Sequence, residues 1–287
     1  MQRAYICHYH SGWAPMTYSN LELTEPSCTE PSMRPVMLSI IMPAYNEGRT
    51  IARAIEQVLD VPYPCPIELI VVDDGSRDDT ADILDSILDP RVVIHRHATN
   101  RGKGAALLSG IDLARGTHVV PFDADLEYAP QDLLPLLRPV LNGRADVVYG
   151  SRLFGSNTVY QSYRYAMGNK VTTFVANVLF DSYISDLHTC LKLVPVELLR
   201  GLTLSEQGFG LDTEITARLL KAGHRPFEVP VSYHSRTHAE GKHLNWRDGV
   251  VCMSILFKVR SQRKVSNIDV GLAESDGTVV DLQLIAS

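Results

Sequence analysis

Short apolar segments alternate with amphipathic segments from residue 38 onward, and this alternation limits the fold more than any other feature of the sequence. The apolar segments have the length of strands, and the stretches between them have helical periodicity. Apolar strands that are regularly separated by helices are typical of a mainly parallel sheet covered by helices on both faces. The predicted strands are residues 38–42, 69–72, 91–95, 118–122 and 146–149, and the predicted helices are residues 50–59, 79–88, 104–114 and 131–141. The sequence therefore predicts an α/β fold, in which ligands bind at the carboxyl ends of the strands.

The length and composition predict one main domain with irregular ends. A chain of 287 residues with 45% hydrophobic residues is long enough to bury one large core. Residues 1–36 contain several prolines and no sustained periodicity, so we expect an irregular leader there. Residues 37–260 carry the ordered domain, and residues 261–287 form a polar tail to which we assign no function.

The charge and the cysteines argue against several classes of protein. The formal net charge of -6 disfavours a general nucleic-acid binder, which needs a basic excess to bind phosphates. The five cysteines form no Cys-x-x-Cys pair, so the sequence indicates neither a zinc ribbon nor a disulfide framework, and a reducing cytosol suits them. No apolar run reaches the roughly 18 residues of a membrane span, and the N-terminus lacks the pattern of a signal peptide. We therefore predict a cytoplasmic protein that is neither secreted nor transmembrane.

Two carboxylates, one residue apart, follow the fourth predicted strand. In an extended backbone Asp123 and Asp125 project to the same side, where they can face one ligand together. Mg2+ or Mn2+ relieves the repulsion between such carboxylates, since both cations take oxygen ligands and keep positions open for water and substrate phosphates. Glu127 is one more oxygen ligand in reach. The alternative is an acidic, solvated turn, which is the usual meaning of an isolated Asp-x-Asp.

Other polar residues follow the earlier strands. Tyr45 and Glu47 come after the first strand, where the ring can stack on a base and the carboxylate can accept from a base or a ribose. Asp74 follows the second strand and is placed to accept from hydroxyl or base groups. Lys103 precedes the third helix, whose free amides and dipole favour an anion. Because the neighbouring glycines complete neither a P-loop nor a dinucleotide fingerprint, a nucleotide diphosphate held through a metal fits better.

Four motifs stand in an order that resembles family 2 glycosyltransferases. They are Pro43-Ala44-Tyr45-Asn46-Glu47, Val72-Asp73-Asp74-Gly75-Ser76, Asn100-Arg101-Gly102-Lys103-Gly104 and Asp123-Ala124-Asp125. Later segments look like the dolichol-phosphate mannosyltransferase branch, and the last two resemble its bacterial members: residues 150–152, 185–190, 228–231, 240–242 and 246–249. The resemblance covers about residues 38–260. It implies a Rossmann-like GT-A fold, a nucleotide sugar donor such as GDP-mannose or a UDP-sugar, and inversion of the anomeric carbon.

The resemblance implies a donor site in about residues 37–150. Asp125 and Glu127 would hold the metal, and Asp123 would support the metal, the ribose or the sugar. The family usually shows Gln at position 127, so Glu127 is a departure that bears on metal strength or sugar choice. The nucleotide-sugar pocket would be formed by Pro43, Ala44, Tyr45, Glu47, Asp74 and Lys103.

An acceptor site is implied in about residues 151–260. Arg152 and Arg236 would face the phosphates, because a guanidinium engages two phosphate oxygens at once, and Lys242 would be a third cation. For a lone arginine, the alternative is a surface ion pair. With a polyprenyl phosphate as acceptor no strong general base is needed, since its oxygen is already anionic.

Two other functions stay open. With a soluble hydroxyl acceptor, a carboxylate must take the proton, and Asp212 or Glu214 is the candidate; the alternative for both is that acids favour a helix N-terminus. The other function is nucleotide-sugar binding without turnover.

Two segments with helical spacing of apolar residues, 164–180 and 246–259, suggest contact with a membrane surface. From periodicity alone, packing on the sheet or a dimer contact is favoured. The family resemblance favours peripheral association with the cytoplasmic face of a membrane, where a polyprenyl phosphate is delivered to the site.

Overall fold

The predicted alternation of strands and helices is confirmed by the structure, a computed structural model that describes residues 35–153, 158–159, 163–234 and 246–262. The strands are β1 (Leu38–Ala44), β2 (Ile67–Asp73), β3 (Val92–Arg96), β4 (His118–Pro121), β5 (Val148–Ser151), β6 (Thr158–Val159), β7 (Lys192–Pro195), β8 (Phe227–Pro230) and β9 (Tyr233–His234). The helices are α1 (Ile51–Leu59), α2 (Thr80–Asp85), α3 (Lys103–Leu113), α4 (Leu133–Leu141), α5 (Tyr163–Phe180), α6 (Val196–Gly201), α7 (Leu211–Ala222) and α8 (Trp246–Ser261). The predicted leader, residues 1–34 in particular, and most of the tail lie outside the described residues.

A seven-stranded sheet in the order β3-β2-β1-β4-β7-β5-β8 forms the centre of the described chain. Strand β7 runs antiparallel to both of its neighbours, β4 and β5, while the other paired strands of this sheet are parallel. The chain moves outward from β1 to β3 on one side and then returns to place β4 on the other side of β1. Between β1 and β4 the strand order reverses, and ligands of open α/β sheets bind at such a switch point.

Helices cover both faces of the sheet because its central strands are apolar on both sides. In β1, Ile40 packs with α1 and α4 on one face, while Ile41 packs with α3, α6 and α7 on the other. Both isoleucines are fully buried, and each burial contributes about 1.5–3 kcal/mol relative to exposure. A third cluster joins α5, α7 and α8 through residues such as Ala176 and Leu256. The predicted mainly parallel fold with helices on both faces is therefore confirmed.

Helix α5 is the longest helix in the described part of the chain, and it still does not have the length and apolar character that crossing a membrane requires. The same holds for every other helix within the described ranges. The described residues all belong to one compact unit, Met33–Ser287.

Candidate active site

The predicted acidic pair lies at the switch point, in a turn rather than on a strand. Strand β4 ends at Pro121, and Ala124 and Asp125 form a turn that is followed by Leu126 with a left-handed φ of 62°. Asp123 and Asp125 therefore do not project from one extended strand, contrary to the prediction from the sequence. They still lie next to the end of β1, because the amide of Phe122 donates to the carbonyl of Ile41 at 2.8 Å.

Lys103 is brought against the acidic turn by the start of α3. Its Nζ lies 2.7 Å from both carboxylate oxygens of Asp123. Burial lowers the pKa of Lys103, but the neighbouring charge of Asp123 outweighs burial and the pKa stands well above its ordinary value. The ammonium group is therefore charged, and its direct partner is the carboxylate of Asp123.

Glu127 is buried and forms hydrogen bonds with β9. Its Oε2 accepts a hydrogen bond of 2.6 Å from the hydroxyl of Tyr233, and its carbonyl accepts from the amide of His234. Its own amide donates to Oδ1 of Asp125 at 3.0 Å. Glu127 thus ties the acidic turn to β9.

The three predicted metal ligands are not grouped as a complete metal-binding site. Among the described residues, no three Asp, Glu, His or Cys side chains are grouped so that they could hold a metal ion. Mg2+ is commonly held by only one or two carboxylates together with substrate phosphates. Asp123 and Asp125 fit that arrangement as hard oxygen donors at the end of β4, while Glu127 is engaged by Tyr233.

The loops after β1 and β2 are joined by hydrogen bonds. The amide of Asn46 donates to Oγ of Ser76, and the amide of Arg77 donates to Oδ1 of Asn46. Next to this contact Tyr45 is 41% exposed, so its ring is accessible for stacking. The carboxylate of Glu47 accepts from the hydroxyl of Thr50 at 2.7 Å.

Pro43 and Ala44 are the last two residues of β1, so they lie at its carboxyl end. There the buried Ala44 accepts a backbone hydrogen bond from Asp74. The predicted roles of Pro43, Ala44, Tyr45 and Glu47 in nucleotide binding stay predictions.

Asp74 is buried, and its carboxylate is engaged by protein groups. It accepts from the amides of Arg101 and Gly102 at 2.9 and 2.7 Å. The ring of His97 lies 2.6 Å away through Nδ1, and the Nε2 of that ring lies 2.9 Å from the hydroxyl of Ser109. Asp74 therefore organises the loop before α3, and its predicted contact with a nucleotide is not tested.

Part of the anion site that we predicted at the start of α3 is occupied by groups of the protein itself. The amides of Arg101 and Gly102 bind Asp74, and the amide of Ala105 donates to the carbonyl of Gln207 at 3.0 Å. The segment around Gln207 approaches so closely that a Cβ at Gly104 would lie 2.6 Å from its carbonyl carbon. Glycine is required there because two backbones touch. The prediction of free amides was wrong for these positions.

Arg152 forms a buried ion pair rather than a surface one, so the guanidinium that we predicted to face the phosphates is engaged by the protein, and its phosphate contact stays a prediction. Its Nε and Nη2 donate to the two oxygens of Asp186 at 2.6 and 2.7 Å, and the guanidinium lies 4.9 Å from the ring centre of Tyr233. Asp186 is fully buried and also accepts from Asn169. Burial raises the pKa of Asp186, but Arg152 and these hydrogen bonds outweigh burial and lower it to about 2.

The two candidate bases differ in their surroundings. Glu214 is buried and accepts from the amides of Ser205 and Glu206 and from Arg218. Burial raises the pKa of Glu214, but these donors outweigh burial and lower it, which makes the carboxylate a weak base. Asp212 lies in the first turn of α7, 3.3 Å from Nζ of the buried Lys192. Glu214 is thus held by the protein, and the predicted role of Asp212 as a general base stays a prediction.

Two predicted residues, Arg236 and Lys242, lie outside the described residues. Other residues of the site escaped our reading of the sequence because they act through contacts that are distant along the chain: His97, Asp186, Lys192, Gln207 and Tyr233. A weak signal existed for Asp186, which belongs to one of the segments that carried the resemblance.

Comparisons with known proteins bear on the family and the fold. Residues 39–202 match the family model described as glycosyl transferase family 2. The chain is 32% identical over 223 residues to the polyprenol monophosphomannose synthase of Mycolicibacterium smegmatis, covering 74% of this chain and 82% of that protein. It is 28% identical over 189 residues to the UDP-N-acetylglucosamine–dolichyl-phosphate N-acetylglucosaminyltransferase of Methanococcus voltae, covering 60% of this chain and 73% of that protein.

Solved structures show the same fold. The glucosyl-3-phosphoglycerate synthase of Mycobacterium tuberculosis, solved with Mn2+, uridine diphosphate and phosphoglyceric acid, superposes with a TM-score of 0.61 at 19% identity and with 80% of each chain covered. Another structure of that enzyme contains Mg2+ and uridine diphosphate; its TM-score is 0.60 at 18% identity, over 80% of this chain and 81% of that one. The predicted GT-A fold is therefore confirmed.

Proposed function

This chain belongs to glycosyl transferase family 2 and is a glycosyltransferase, and we propose that it transfers a hexose from a nucleotide sugar to a polyprenyl- or dolichyl-type lipid phosphate. The observation that carries the proposal is the acidic turn with Asp123 and Asp125 beside Lys103, at the switch point of the sheet. Two relatives are named for different sugars, a mannose and an N-acetylglucosamine, and both names contain a polyprenol or dolichyl lipid. Their names support the acceptor class and leave the donor as GDP-mannose or a UDP-sugar.

The residues of the donor side are suited to a departing diphosphate. Mg2+ or Mn2+ held by Asp123 and Asp125 would neutralise the charge that accumulates on this leaving group. Lys103 places a cation at the same point. The exposed ring of Tyr45, in the neighbouring loop, is accessible to a base. These residues would hold and orient the donor, which accounts for much of a transfer reaction.

A lipid phosphate acceptor agrees with the surroundings of the candidate bases. Glu214 is committed to hydrogen bonds within the protein, and its lowered pKa makes it a poor general base. A phosphate acceptor needs no such base, because its oxygen is already anionic near neutral pH. Transfer with inversion then requires mainly that the acceptor oxygen be held in line with the anomeric carbon. If the acceptor were a soluble hydroxyl instead, Asp212 would take its proton.

An exposed apolar face on α5 supports delivery of this acceptor from a membrane surface. It consists of Tyr163, Met167, Val171, Phe174 and Val178, at helical spacing, with exposed fractions between 36% and 77%. The opposite side of α5 packs against α7 and α8 rather than on the sheet. A row of exposed apolar side chains on one helix face is typical of an interaction site. Exposed Lys170 beside it can reach lipid headgroups.

Product analysis tests the proposed reaction. The protein is incubated with labelled GDP-mannose or UDP-sugars, Mn2+, and either polyprenyl phosphate in detergent or detergent alone. A lipid phosphate acceptor gives an acid-labile product that is extracted into organic solvent, and the product requires the lipid. Asp125→Ala should lower the rate by a factor of about 100 or more, since it removes the metal's electrostatic help, whereas the exposed control Asp112→Ala should not. Full activity in Asp125→Ala would remove the metal assignment, and transfer only to soluble hydroxyl compounds would remove the lipid acceptor.

Vesicle sedimentation tests the membrane contact. Phe174→Asp should weaken binding to vesicles that contain anionic lipid, because it places a charge in the apolar face of α5. Leu88→Asp is the matched control, since Leu88 is 91% exposed and follows α2. Equal binding of the two variants would contradict the membrane contact.

A further inference from the structure

We propose that Lys103 is a built-in counter-ion which occupies the metal-binding carboxylate of Asp123 in the free enzyme, so that the divalent cation and the nucleotide diphosphate bind as a unit. This inference rests on the proposed metal-dependent function, and it concerns how the site is assembled.

The contact between Lys103 and Asp123 carries the inference. The ammonium lies 2.7 Å from both oxygens of this carboxylate, so it covers the side of the group on which a cation would bind. Both side chains are mostly removed from solvent, with exposed fractions of 23% for Lys103 and 18% for Asp123. A hard cation can coordinate both oxygens of Asp123 only after the ammonium of Lys103 has moved away from them.

The position of Lys103 explains where the ammonium goes when it is displaced. Lys103 is the first residue of α3, and the loop before it is held in place by Asp74, so the backbone stays fixed while the side chain moves. A diphosphate bound beside the cation offers anionic oxygens to the released ammonium. Without this diphosphate, a cation that binds must displace Lys103 and then stand next to its positive charge.

The expected consequence is a weak metal affinity that nucleotide strengthens. Thermodynamic linkage requires the converse, that metal strengthens nucleotide binding by the same factor. Replacing Lys103 with a neutral residue removes both the competitor and the repulsion. We expect Lys103→Met to bind Mn2+ roughly tenfold more tightly than the natural protein in the absence of nucleotide, which corresponds to ~1.4 kcal/mol.

Titration with Mn2+, followed by the electron paramagnetic resonance signal of the free ion, tests the inference without an activity assay. The dissociation constant is measured for each protein alone and with UDP or GDP. Lys103→Arg keeps the charge and should keep the weak affinity. Arg101→Met removes an exposed cation two residues away and should change the affinity by less than about twofold, since exposed charges are screened. Circular dichroism melting shows that each variant is folded, and Lys103→Gln repeats the test if the methionine variant is not.

The outcomes separate the inference from the function on which it rests. The inference is supported if Lys103→Met binds Mn2+ more tightly than the natural protein without nucleotide, and if nucleotide then raises its Mn2+ affinity by a smaller factor. Equal affinities of the natural protein, Lys103→Met and Lys103→Arg would overturn the role of Lys103 and leave the metal site standing. If no protein binds Mn2+ even with UDP or GDP, the metal site of the proposed function fails as well.

Discussion

The buried pair of Arg152 and Asp186 should be among the most sensitive points of the acceptor half. The carboxylate is fully buried, the arginine side chain is 11% exposed, and two donors of the guanidinium reach both oxygens. Asp186→Asn keeps the shape of the side chain but leaves the guanidinium buried without its counter-charge. We expect this single change to cost more stability than any substitution on the surface.

Two estimates bracket the magnitude. Removing one partner of a buried ion pair costs about 3–5 kcal/mol. Independently, the depression of the pKa of Asp186 from 3.8 to about 2 corresponds to about 2 kcal/mol of preferential stabilisation of the charged form in the folded state. A loss of about 3 kcal/mol is a large part of the 5–15 kcal/mol that typically holds a protein folded.

Urea unfolding followed by far-UV circular dichroism measures this loss. Asp186→Asn should lower the midpoint by about 1 M, whereas Glu197→Gln, in the exposed pair with Arg200, should cost about 0.5 kcal/mol or less. The double variant Arg152→Met/Asp186→Asn should lose less than the two single variants added together, because it leaves no buried charge unpaired. Two results would contradict this role of the ion pair. One is an equal loss of unfolding free energy in Asp186→Asn and Glu197→Gln, and the other is a loss in the double variant that equals the sum of the two single losses.

Four further predictions concern other residues of the described chain. Burial, helped by Lys192, lowers the pKa of His188 from 6.5 to about 4. Because the unfolded chain takes up this proton first, the free energy of unfolding should fall between pH 6.5 and pH 4, by at most about 1.4 kcal/mol per pH unit. His188→Gln should reduce this pH dependence when urea midpoints are compared. Glu214→Gln should cost about 2 kcal/mol in urea unfolding, because its hydrogen bonds to two amides and Arg218 lose the charged acceptor; a loss confined to catalysis would instead favour a role as the base. Tyr233→Phe should cost about 1–2 kcal/mol by removing the hydrogen bond to buried Glu127, and an unchanged midpoint would show that this bond does not secure the acidic turn. Gly104→Ala should lower the melting temperature, because the new methyl group meets the backbone of Gln207, and an unchanged value would contradict that close approach.

Much of the fold could be predicted because its signals are local. Each predicted strand and helix of the first half overlaps an observed one, since periodicity reports which face of a segment is buried. The antiparallel strand β7 was not predicted. It inserts between β4 and β5, and this pairing joins segments that no local pattern connects.

The sequence by itself determined the family, the α/β architecture and the position of the acidic turn at the end of a central strand. It did not determine the partners of the charged side chains. Lys103 meets Asp123 across 20 residues, Arg152 meets Asp186 across 34, and Tyr233 meets Glu127 across 106. A carboxylate looks the same in a sequence whether it binds a cation, caps a loop or pairs with a buried arginine. Only the tertiary structure decides among these roles, because each depends on which distant group the fold places within hydrogen-bond distance.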